Sequence, residues 1–472
     1  MRRILGVLAL LFVACTSPSY SGIDSPSIRV DHDSQNIIAY IDQRLENEYY
    51  WLDEVKSKSG MFNRHVAWQN YLSASLSHLE TNTDDGYINK RGQRVFYSYI
   101  GEVEEQTRSA ATGFGIDLHY TIAVIDSDNG YYGFLVENIY PNSPAAVADM
   151  RRGDVIMMVN GKNIDADNYA ELFTTIQNNT ASNVRLQYRR QTDGQSYAAT
   201  LDHGIYTPTT VIHNDILSIE GHSDAVGYLA YTGFESEYDE ELMAAITGFA
   251  TAGVQDVILD LRCNGGGEIR SAVKLASALL PAAYEGQPLC IIKRNPKNSI
   301  NDVEQSFPLS NTGAILSLQR LIVICSGYSA SASELIIMGL RGLDIPVMLI
   351  GATTEGKNCG MDVTRRKVGN THVEFAPITF MCFNAKGFGE WGEGITPDVD
   401  LTTENDYGIS DKNYPLPRCP WGDVEHDVAL RVAISAITGQ APTATRHEAT
   451  ASHLTTLDID RPTMGLRLMA EE

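Results

Sequence analysis

The residues Ser329-Ala-Ser-Ala-Ser-Glu334 are followed, 23 positions later, by the lysine of Gly356-Lys357-Asn358. A serine hydroxyl is a weak nucleophile at neutral pH and needs a neighbouring base, and an uncharged lysine amine can be that base. The same residues permit a structural interpretation, because Ser331-x-x-Glu334 is also a helix capping box in front of the apolar run from Leu335 to Met338. The local pattern therefore predicts either a serine–lysine hydrolase site or a plain helix start.

A further motif, Asp260-Leu-Arg262-Cys-Asn264-Gly-Gly266-Gly267, lies about 70 residues upstream of the serines. In this order the motifs resemble those of the C-terminal processing (tail-specific) serine peptidases. The resemblance extends from about residue 113 to 437, includes a PDZ-like segment, and is weak before residue 100. It implies a multi-domain α/β protein with a crotonase/ClpP-like ββα-spiral catalytic domain. It also implies an endopeptidase that hydrolyses peptide bonds of exported proteins through a Ser–Lys dyad.

The resemblance assigns the two central roles. Ser331 matches the nucleophile of these peptidases, and Lys357 matches their general base. A free lysine has a pKa near 10.4, so a base that is neutral at about pH 7–8 needs a pKa depressed by burial or by a scarcity of anions. Glu355 is the one acid close to Lys357 in the sequence, and it must point away for that depression to hold.

The supporting residues follow from the same resemblance. We expect the backbone N–H groups of Ala332 and of Gly266 or Gly267 to stabilise the oxyanion, because a helix N-terminus has free N–H groups and glycine lets a carbonyl approach closely. Glu334 matches a family acid, which we interpret as a helix cap that also orients the site. Many relatives have a glutamine four residues after the lysine, where this chain has Met361. The third catalytic member is therefore left open.

Short strands replace the helical pattern from residue 112. The turn Gly113-Phe114-Gly115-Ile116 is followed by residues 133–136, 143–146 and 153–161 in the order of a PDZ domain. Glycines on both sides of Phe114 allow backbone N–H groups to face a terminal carboxylate, and the next strand can accept a peptide as an added strand. We predict a PDZ-like domain over residues 105–203 that binds substrate C-termini.

The remaining residues divide into three parts. Residues 24–104 have helical apolar spacing and many aromatic side chains, which predicts an N-terminal helical domain with no assigned chemistry. Apolar strands alternate with helices over residues 208–440, which predicts the α/β catalytic domain. The Thr-, Ala- and Ser-rich residues 441–472 predict a flexible tail. The predicted catalytic strands include residues 254–261, 321–325 and 347–350, and the predicted helices are 240–251, 268–280, 331–341 and 427–437.

Residues 1–15 have the pattern of a lipoprotein-type signal peptide. Arg2-Arg3 precedes an apolar run from Ile4 to Val13 that is too short to span a bilayer, and Cys15 follows. The pattern resembles a bacterial lipoprotein signal with Cys15 as the lipidated residue, and ordinary signal-peptidase cleavage is the alternative because Phe12 stands where Leu is usual. We expect an exported protein of the bacterial cell envelope, lipid-anchored in a membrane that faces the periplasm or the cell surface.

Charge and cysteine usage exclude several partners. The formal net charge is −23 and the isoelectric point is near 4.8. Without a basic stripe, such a chain does not bind nucleic-acid backbones. The cysteines are widely spaced with no CxxC, and the 11 histidines have no ligand spacing, so we expect no metal and no cofactor.

Two other functions remain as alternatives. One is a catalytically silent lipoprotein that uses its PDZ domain as a peptide-binding scaffold. The loss of the glutamine position leaves this alternative open, whereas the presence of Ser331, Lys357 and the glycine turn together argues against it. The other is a crotonase-like enzyme that acts on acyl thioesters, which the leader peptide and the lack of a nucleotide-binding signature disfavour.

Overall fold

A computed structural model of the chain describes residues 32–440, except 90–91, 104–110, 178–180, 221, 223, 301–302, 311–315 and 317, together with residues 456–458 and 468–469. The predicted signal peptide and Cys15 lie outside the described residues.

The helices are α1 His32–Asn47, α2 Leu52–Lys58, α3 Trp68–Leu76, α4 Pro144–Val147, α5 Tyr169–Gln177, α6 Asp239–Thr251, α7 Ile269–Leu279, α8 Ala332–Gly342 and α9 Val428–Thr438. The strands are β1 Tyr87–Ile88, β2 Arg94–Val95, β3 Tyr99–Glu102, β4 Ala111–Gly113, β5 Ile116–Asp126, β6 Tyr131–Ile139, β7 Val155–Val159, β8 Lys162–Asn163, β9 Asn183–Arg189, β10 Ser196–Asp202, β11 Gly204–Tyr206, β12 Val211–Leu217, β13 Val226–Tyr231, β14 Asp256–Asp260, β15 Gly267–Glu268, β16 Pro288–Arg294, β17 Glu304–Pro308, β18 Arg320–Cys325, β19 Val347–Gly351, β20 Cys359–Met361, β21 Thr364–Val368, β22 Thr371–Ala376, β23 Ile378–Asn384, β24 Val399–Asp400, β25 Thr456–Asp458 and β26 Leu468–Met469.

The N-terminal helices are built into the catalytic part of the chain. Ile37, Ile41 and Leu45 recur along one face of α1 and are fully buried. They share a core with Met361 and Phe375 of the later strands. Strand β3 also pairs with β22 to complete a three-stranded sheet. Side chains of the N-terminal region therefore have direct access to the strand that follows Lys357.

The PDZ-like part is an antiparallel sheet in the order β10-β9-β7-β6-β5-β25, with β8 paired to β7. Helices α4 and α5 accompany it. Phe114, Phe134 and Ile156 are fully buried in its core. Strand β5 has β6 on one side and β25, from the C-terminal part of the chain, on the other.

The catalytic part contains a six-stranded sheet in the order β12-β13-β14-β18-β19-β24. Its five strands from β13 to β24 are mutually parallel. Apolar side chains cover both faces, with α6, α7 and α8 on one face and α9 on the other. Because parallel strands share one carboxyl edge, the segments that leave β14, β18 and β19 meet there. These segments hold the glycine turn, the serines and Lys357.

A second six-stranded sheet lies beside the first, in the order β15-β26-β20-β23-β16-β17. It begins with the short strand of the glycine turn and contains the strand that follows Lys357. Its second member, β26, comes from the segment predicted to be a flexible tail. Composition did not predict the two short strands there, β25 and β26.

Candidate active site

Ser331 stands between β18 and α8, immediately before the first helical residue. Its backbone has φ 63° and ψ −114°, and positive φ is uncommon for residues other than glycine. Backbone strain of this kind is concentrated at functional sites. The side chain is fully buried, and within the described residues no hydrogen-bond partner reaches its Oγ. The Ser331 side chain faces the backbone N–H of Glu334 as in a capping box, but the contact is not a hydrogen bond, so the hydroxyl remains available.

The two flanking serines have structural roles. Ser329 Oγ donates to the backbone carbonyl of Leu261 at 2.8 Å, and Ser333 Oγ donates to that of Asn264 at 2.9 Å. Both bonds tie the serine loop to the glycine-turn segment. Of the three alternating serines, Ser331 is therefore the one whose hydroxyl is available for chemistry.

Glu334 is a fully buried hub of hydrogen bonds. Its Oε2 accepts the backbone N–H groups of Ser331 and Lys357, each at 2.8 Å. Its Oε1 accepts the hydroxyl of Thr354 at 2.6 Å and the N–H of Gly356 at 2.7 Å. Burial raises the pKa of Glu334 to about 7, against the opposing effect of these four donors. The Glu334 carboxylate thus accepts the N–H of Ser331, as the predicted capping box requires, and it also accepts the N–H of Lys357.

Lys357 is fully buried between β19 and β20. Its Nζ lies 4.9 Å from the ring centroid of Tyr97, a cation–π distance. Burial raises the pKa of the nearby Asp85, and the amine of Lys357 acts in the opposite direction. The Asp85 carboxylate accepts hydrogen bonds from Tyr49 and Ser98. The amine of Lys357 therefore lies over the aromatic ring of Tyr97 and interacts electrostatically with the buried Asp85.

Tyr97 also contacts the acid that precedes the lysine. Its hydroxyl donates to Glu355 Oε1 at 3.2 Å. Burial and the Glu355 charge raise the pKa of Tyr97 far above its ordinary value. Sequence reasoning missed both Tyr97 and Asp85, because they come from the N-terminal region, more than 250 positions before Lys357 in the sequence.

The glycine turn places backbone N–H groups beside the serine loop. Gly266 and Gly267 have φ values of 104° and 141°, and a Cβ on Gly267 would lie 2.0 Å from the carbonyl oxygen of Phe234. Gly266 N–H donates to Asn264 Oδ1 at 2.9 Å. The carbonyl of Asn264 in turn accepts the N–H of Ala330 at 3.2 Å. Asn264 therefore joins the turn to the residues just before Ser331.

The charged residues of the glycine-turn motif form a buried frame. Arg262 donates through Nε to both oxygens of Asp260, at 2.9 and 3.0 Å, and through its Nη atoms to both oxygens of Asp427, at 3.1 and 2.8 Å. Asp427 also caps α9. Although burial opposes it, Arg262 holds the pKa of Asp427 below its ordinary value. These residues fix the turn to the last helix and do not extend the reactive site.

Met361 is fully buried in the apolar core of β20. Its thioether is at most a weak hydrogen-bond acceptor, so it cannot orient Lys357 as a glutamine amide would.

The Gly113–Ile116 turn is tightly packed. Phe114 is fully buried, and its carbonyl accepts the N–H of Ala145 at 3.0 Å. Gly115 has φ 72°, and a Cβ there would lie 2.1 Å from the Cβ of Ser143. The glycine is therefore required by a close approach, as the PDZ pattern predicts.

Two segments of the chain match known protein families. Residues 225–401 match peptidase family S41, and residues 135–190 match the PDZ domain family. These two segments are therefore similar to an S41 peptidase domain and to a PDZ domain. Both matches agree with the predicted family, and the mixed α/β fold class is confirmed.

Two relatives and one solved structure show the extent of the similarity. The chain is 23% identical over 302 residues to carboxyl-terminal-processing peptidase 1, chloroplastic, of Arabidopsis thaliana, covering 63% of this chain and 57% of the relative. It is 25% identical over 334 residues to a CtpA-like serine protease of Staphylococcus aureus strain RF122, covering 71% and 62%. The chain thus spans about six tenths of the length of these relatives. A crystal structure of an S41 protease from Bacteroides fragilis NCTC 9343 has the same fold, with a TM-score of 0.65, 21% identity, and coverage of 90% of this chain and 99% of that one.

The PDZ-like part contacts the peptidase-like part next to the glycine turn. Glu137 of β6 accepts a hydrogen bond from Cys263 Sγ at 3.0 Å and pairs with Arg152 at 3.3 Å. The ring of His119 on β5 packs edge-to-face on Tyr328, with centroids 5.1 Å apart. Tyr328 lies three residues before Ser331, so the strand that follows the PDZ turn touches the serine loop directly.

Proposed function

We propose that the protein is a serine endopeptidase that cuts peptide bonds through an acyl-enzyme on Ser331, with Lys357 as general base and then general acid. The observation that carries this proposal is the state of the three alternating serines. The hydroxyls of Ser329 and Ser333 hold the loop, whereas the Ser331 Oγ is unbonded, at positive φ, at the N-terminus of α8.

The proposed reaction has an acylation step and a hydrolysis step. Ser331 Oγ attacks the carbonyl carbon of the scissile bond, and its proton passes to Lys357 Nζ. The lysine then gives that proton to the leaving amine as the C–N bond breaks. Water attacks the resulting ester and gives a proton to the lysine. The lysine passes that proton to Ser331 Oγ as the ester C–O bond breaks and the acid is released.

The oxyanion is assigned to two backbone donors. Ala332 begins α8, where N–H groups have no intrahelical partner and the helix dipole favours negative charge. Of the two glycines, we assign the role to Gly267, because the N–H of Gly266 is already donated to Asn264 Oδ1 at 2.9 Å. Gly267 is also the position where a side chain would collide with Phe234.

Two features support Lys357 as the base. The amine is fully buried, and burial disfavours an ammonium ion relative to a neutral amine. Its loop is held to the nucleophile loop through the backbone hydrogen bonds that Glu334 accepts from Ser331 and Lys357. We assign Glu334 the part of a positioning residue.

We assign recognition of protein or peptide substrates, through their C-termini, to the PDZ domain and its Gly113–Ile116 turn. Location in the bacterial cell envelope and lipid anchoring through Cys15 rest on the signal-like residues 1–15. Across the described part of the chain, no helix is both long and apolar enough to cross a membrane.

A fluorophosphonate probe tests the nucleophile. Such a probe labels an activated serine, so the wild-type protein and Ser333→Ala should be labelled, whereas Ser331→Ala should not. Labelling of Ser331→Ala would overturn the assignment. A wild-type protein that is neither labelled nor active on peptides would instead favour the PDZ scaffold alternative.

A further inference from the structure

The C-terminal part of this chain contacts both places where a substrate is expected to bind. The first contact is β25, residues 456–458, which pairs antiparallel with β5. Thr456 is opposite Ala123, Leu457 is opposite Ile122, and Asp458 is opposite Thr121. Strand β5 follows the Gly113–Ile116 turn, and β25 lies on the side of β5 that faces away from β6. Without β25 this side of β5 would be an open sheet edge, which is where PDZ domains accept a peptide strand.

The direction of β25 is also that of a ligand. A peptide whose C-terminal end has to reach the turn at the start of β5 must run antiparallel to β5. The register satisfies this requirement, because Asp458 is opposite Thr121 whereas Thr456 is opposite Ala123. The later residue of β25 is thus the one nearer the turn.

The second contact is β26, residues 468–469, inside the peptidase domain. Leu468 pairs with Gly267 and Met469 with Glu268, both in parallel. Met469 also pairs with Met361 of β20. Strand β26 therefore fills the position between the glycine turn and the strand that follows Lys357. A substrate whose carbonyl reaches the N–H of Gly267 would have to enter this position.

Strands β25 and β26 are close together in the sequence. Ten Cα–Cα steps separate Asp458 from Leu468, and an extended chain spans at most about 3.6 Å per residue, or roughly 36 Å. The two domains touch at Tyr328 and His119.

We propose that residues 456–458 and 468–469, two strands of one C-terminal segment, are an internal ligand of this protein, at the PDZ edge of β5 and at the strand position beside Gly267. Other substrates must displace this segment from both positions. The occupancy rests on strand pairing alone, whereas its effect on catalysis rests on the proposed function.

Hydrogen exchange tests the occupancy without any need for activity. A chain that ends at residue 440, in the Ser331→Ala background, is compared with the full chain carrying the same substitution. Loss of the segment should speed amide exchange in residues 122–123, 267 and 361 by about tenfold or more, because amides paired with the segment lose their partners. A synthetic peptide of residues 454–472 should restore the slow exchange. Equal exchange in the two chains, both folded by circular dichroism, would overturn the proposal.

A pair of full-length variants tests the consequence for catalysis. Proline lacks the N–H that a strand needs, so Leu457→Pro with Leu468→Pro should release the segment, whereas Leu457→Val with Leu468→Val should retain it. If the segment occupies the site nine tenths of the time, release lowers KM for an unrelated peptide about tenfold with kcat little changed. Equal KM values in the two active variants would overturn the regulatory part. Changed exchange with no hydrolysis in any variant would leave the internal ligand standing and count against the peptidase assignment.

Discussion

The carboxylate of Glu334 accepts a hydrogen bond from the backbone N–H of Lys357 at 2.8 Å, across 23 residues of sequence. The same oxygen accepts the N–H of Ser331 at 2.8 Å. One buried side chain thus fixes the separation between the loop of the proposed nucleophile and that of the proposed base. Glu334 is a positioning residue, because its hydrogen bonds are to backbone groups.

Glu334→Gln should lower kcat by about 100-fold, because small displacements of reacting groups cost about that much. The carboxylate accepts four hydrogen bonds, two at each oxygen. In a glutamine the NH2 group would replace one oxygen and would face two hydrogen-bond donors. KM should change little, since the peptide-binding elements are untouched. Steady-state kinetics on a model peptide make the comparison, with Glu355→Gln as the control. An equal loss of kcat in both variants would contradict a specific role for Glu334.

Glu334 should also make stability depend on pH. Its folded-state pKa is raised to about 7, above the ordinary value of about 4.3. Between these values the folded state binds more protons than the unfolded state, so its contribution to the unfolding free energy falls as pH rises from about 4.5 to 7, by about 3 kcal/mol at most. Urea unfolding at several pH values should show this decrease in wild type and not in Glu334→Gln. A parallel pH profile in the variant would show that other groups cause the slope.

Ser331→Ala should abolish hydrolysis and leave the unfolding free energy within about 1 kcal/mol of wild type, because a buried hydroxyl without a partner contributes no hydrogen bond. Ser333→Ala is the matched control. It removes the bond to the Asn264 carbonyl, so it should cost about 1 kcal/mol and retain activity. Denaturant unfolding and peptide hydrolysis separate the two. An active Ser331→Ala protein would contradict the mechanism.

Lys357→Arg should be nearly inactive, because a guanidinium remains charged and cannot accept the proton of the serine. The wild-type rate should rise with pH, with a midpoint well below the value of about 10.4 expected for a free lysine. A pH–rate profile of kcat/KM measures this midpoint. Full activity of the arginine variant would show that another residue is the base.

The peptidase sheet was predictable because its signals are local. Continuous apolar runs predicted strands at 254–261 and 321–325, and the structure has Asp256–Asp260 and Arg320–Cys325. The helix predicted at 268–280 is Ile269–Leu279. Strands buried on both faces and helices with one apolar face leave such patterns in sequence.

The surroundings of Lys357 and the strands of the C-terminal segment were not predictable in the same way. Tyr97 reaches the lysine through pairing of the N-terminal region with β22, a contact between distant parts of the chain. The composition of residues 441–472 predicted flexibility, yet β25 forms at the edge of one sheet and β26 forms between β15 and β20 of another. Strand formation depends on such neighbours more than on the segment's own residues.

The PDZ domain should select substrates by their C-terminus. The turn from Gly113 to Ile116 lies beside a strand edge that accepts an added strand, as β25 shows. Amidating a substrate's C-terminus removes its negative charge without altering the scissile bond, so KM should rise while kcat changes little. Gly115→Ala should remove the difference between the amide and the acid, because a Cβ there would lie 2.1 Å from Ser143. Measurements in the chain that ends at residue 440 avoid competition from residues 456–469. Equal KM values for amidated and free-acid substrates in that protein would rule out carboxylate recognition and leave the PDZ domain a structural lid on the peptidase site.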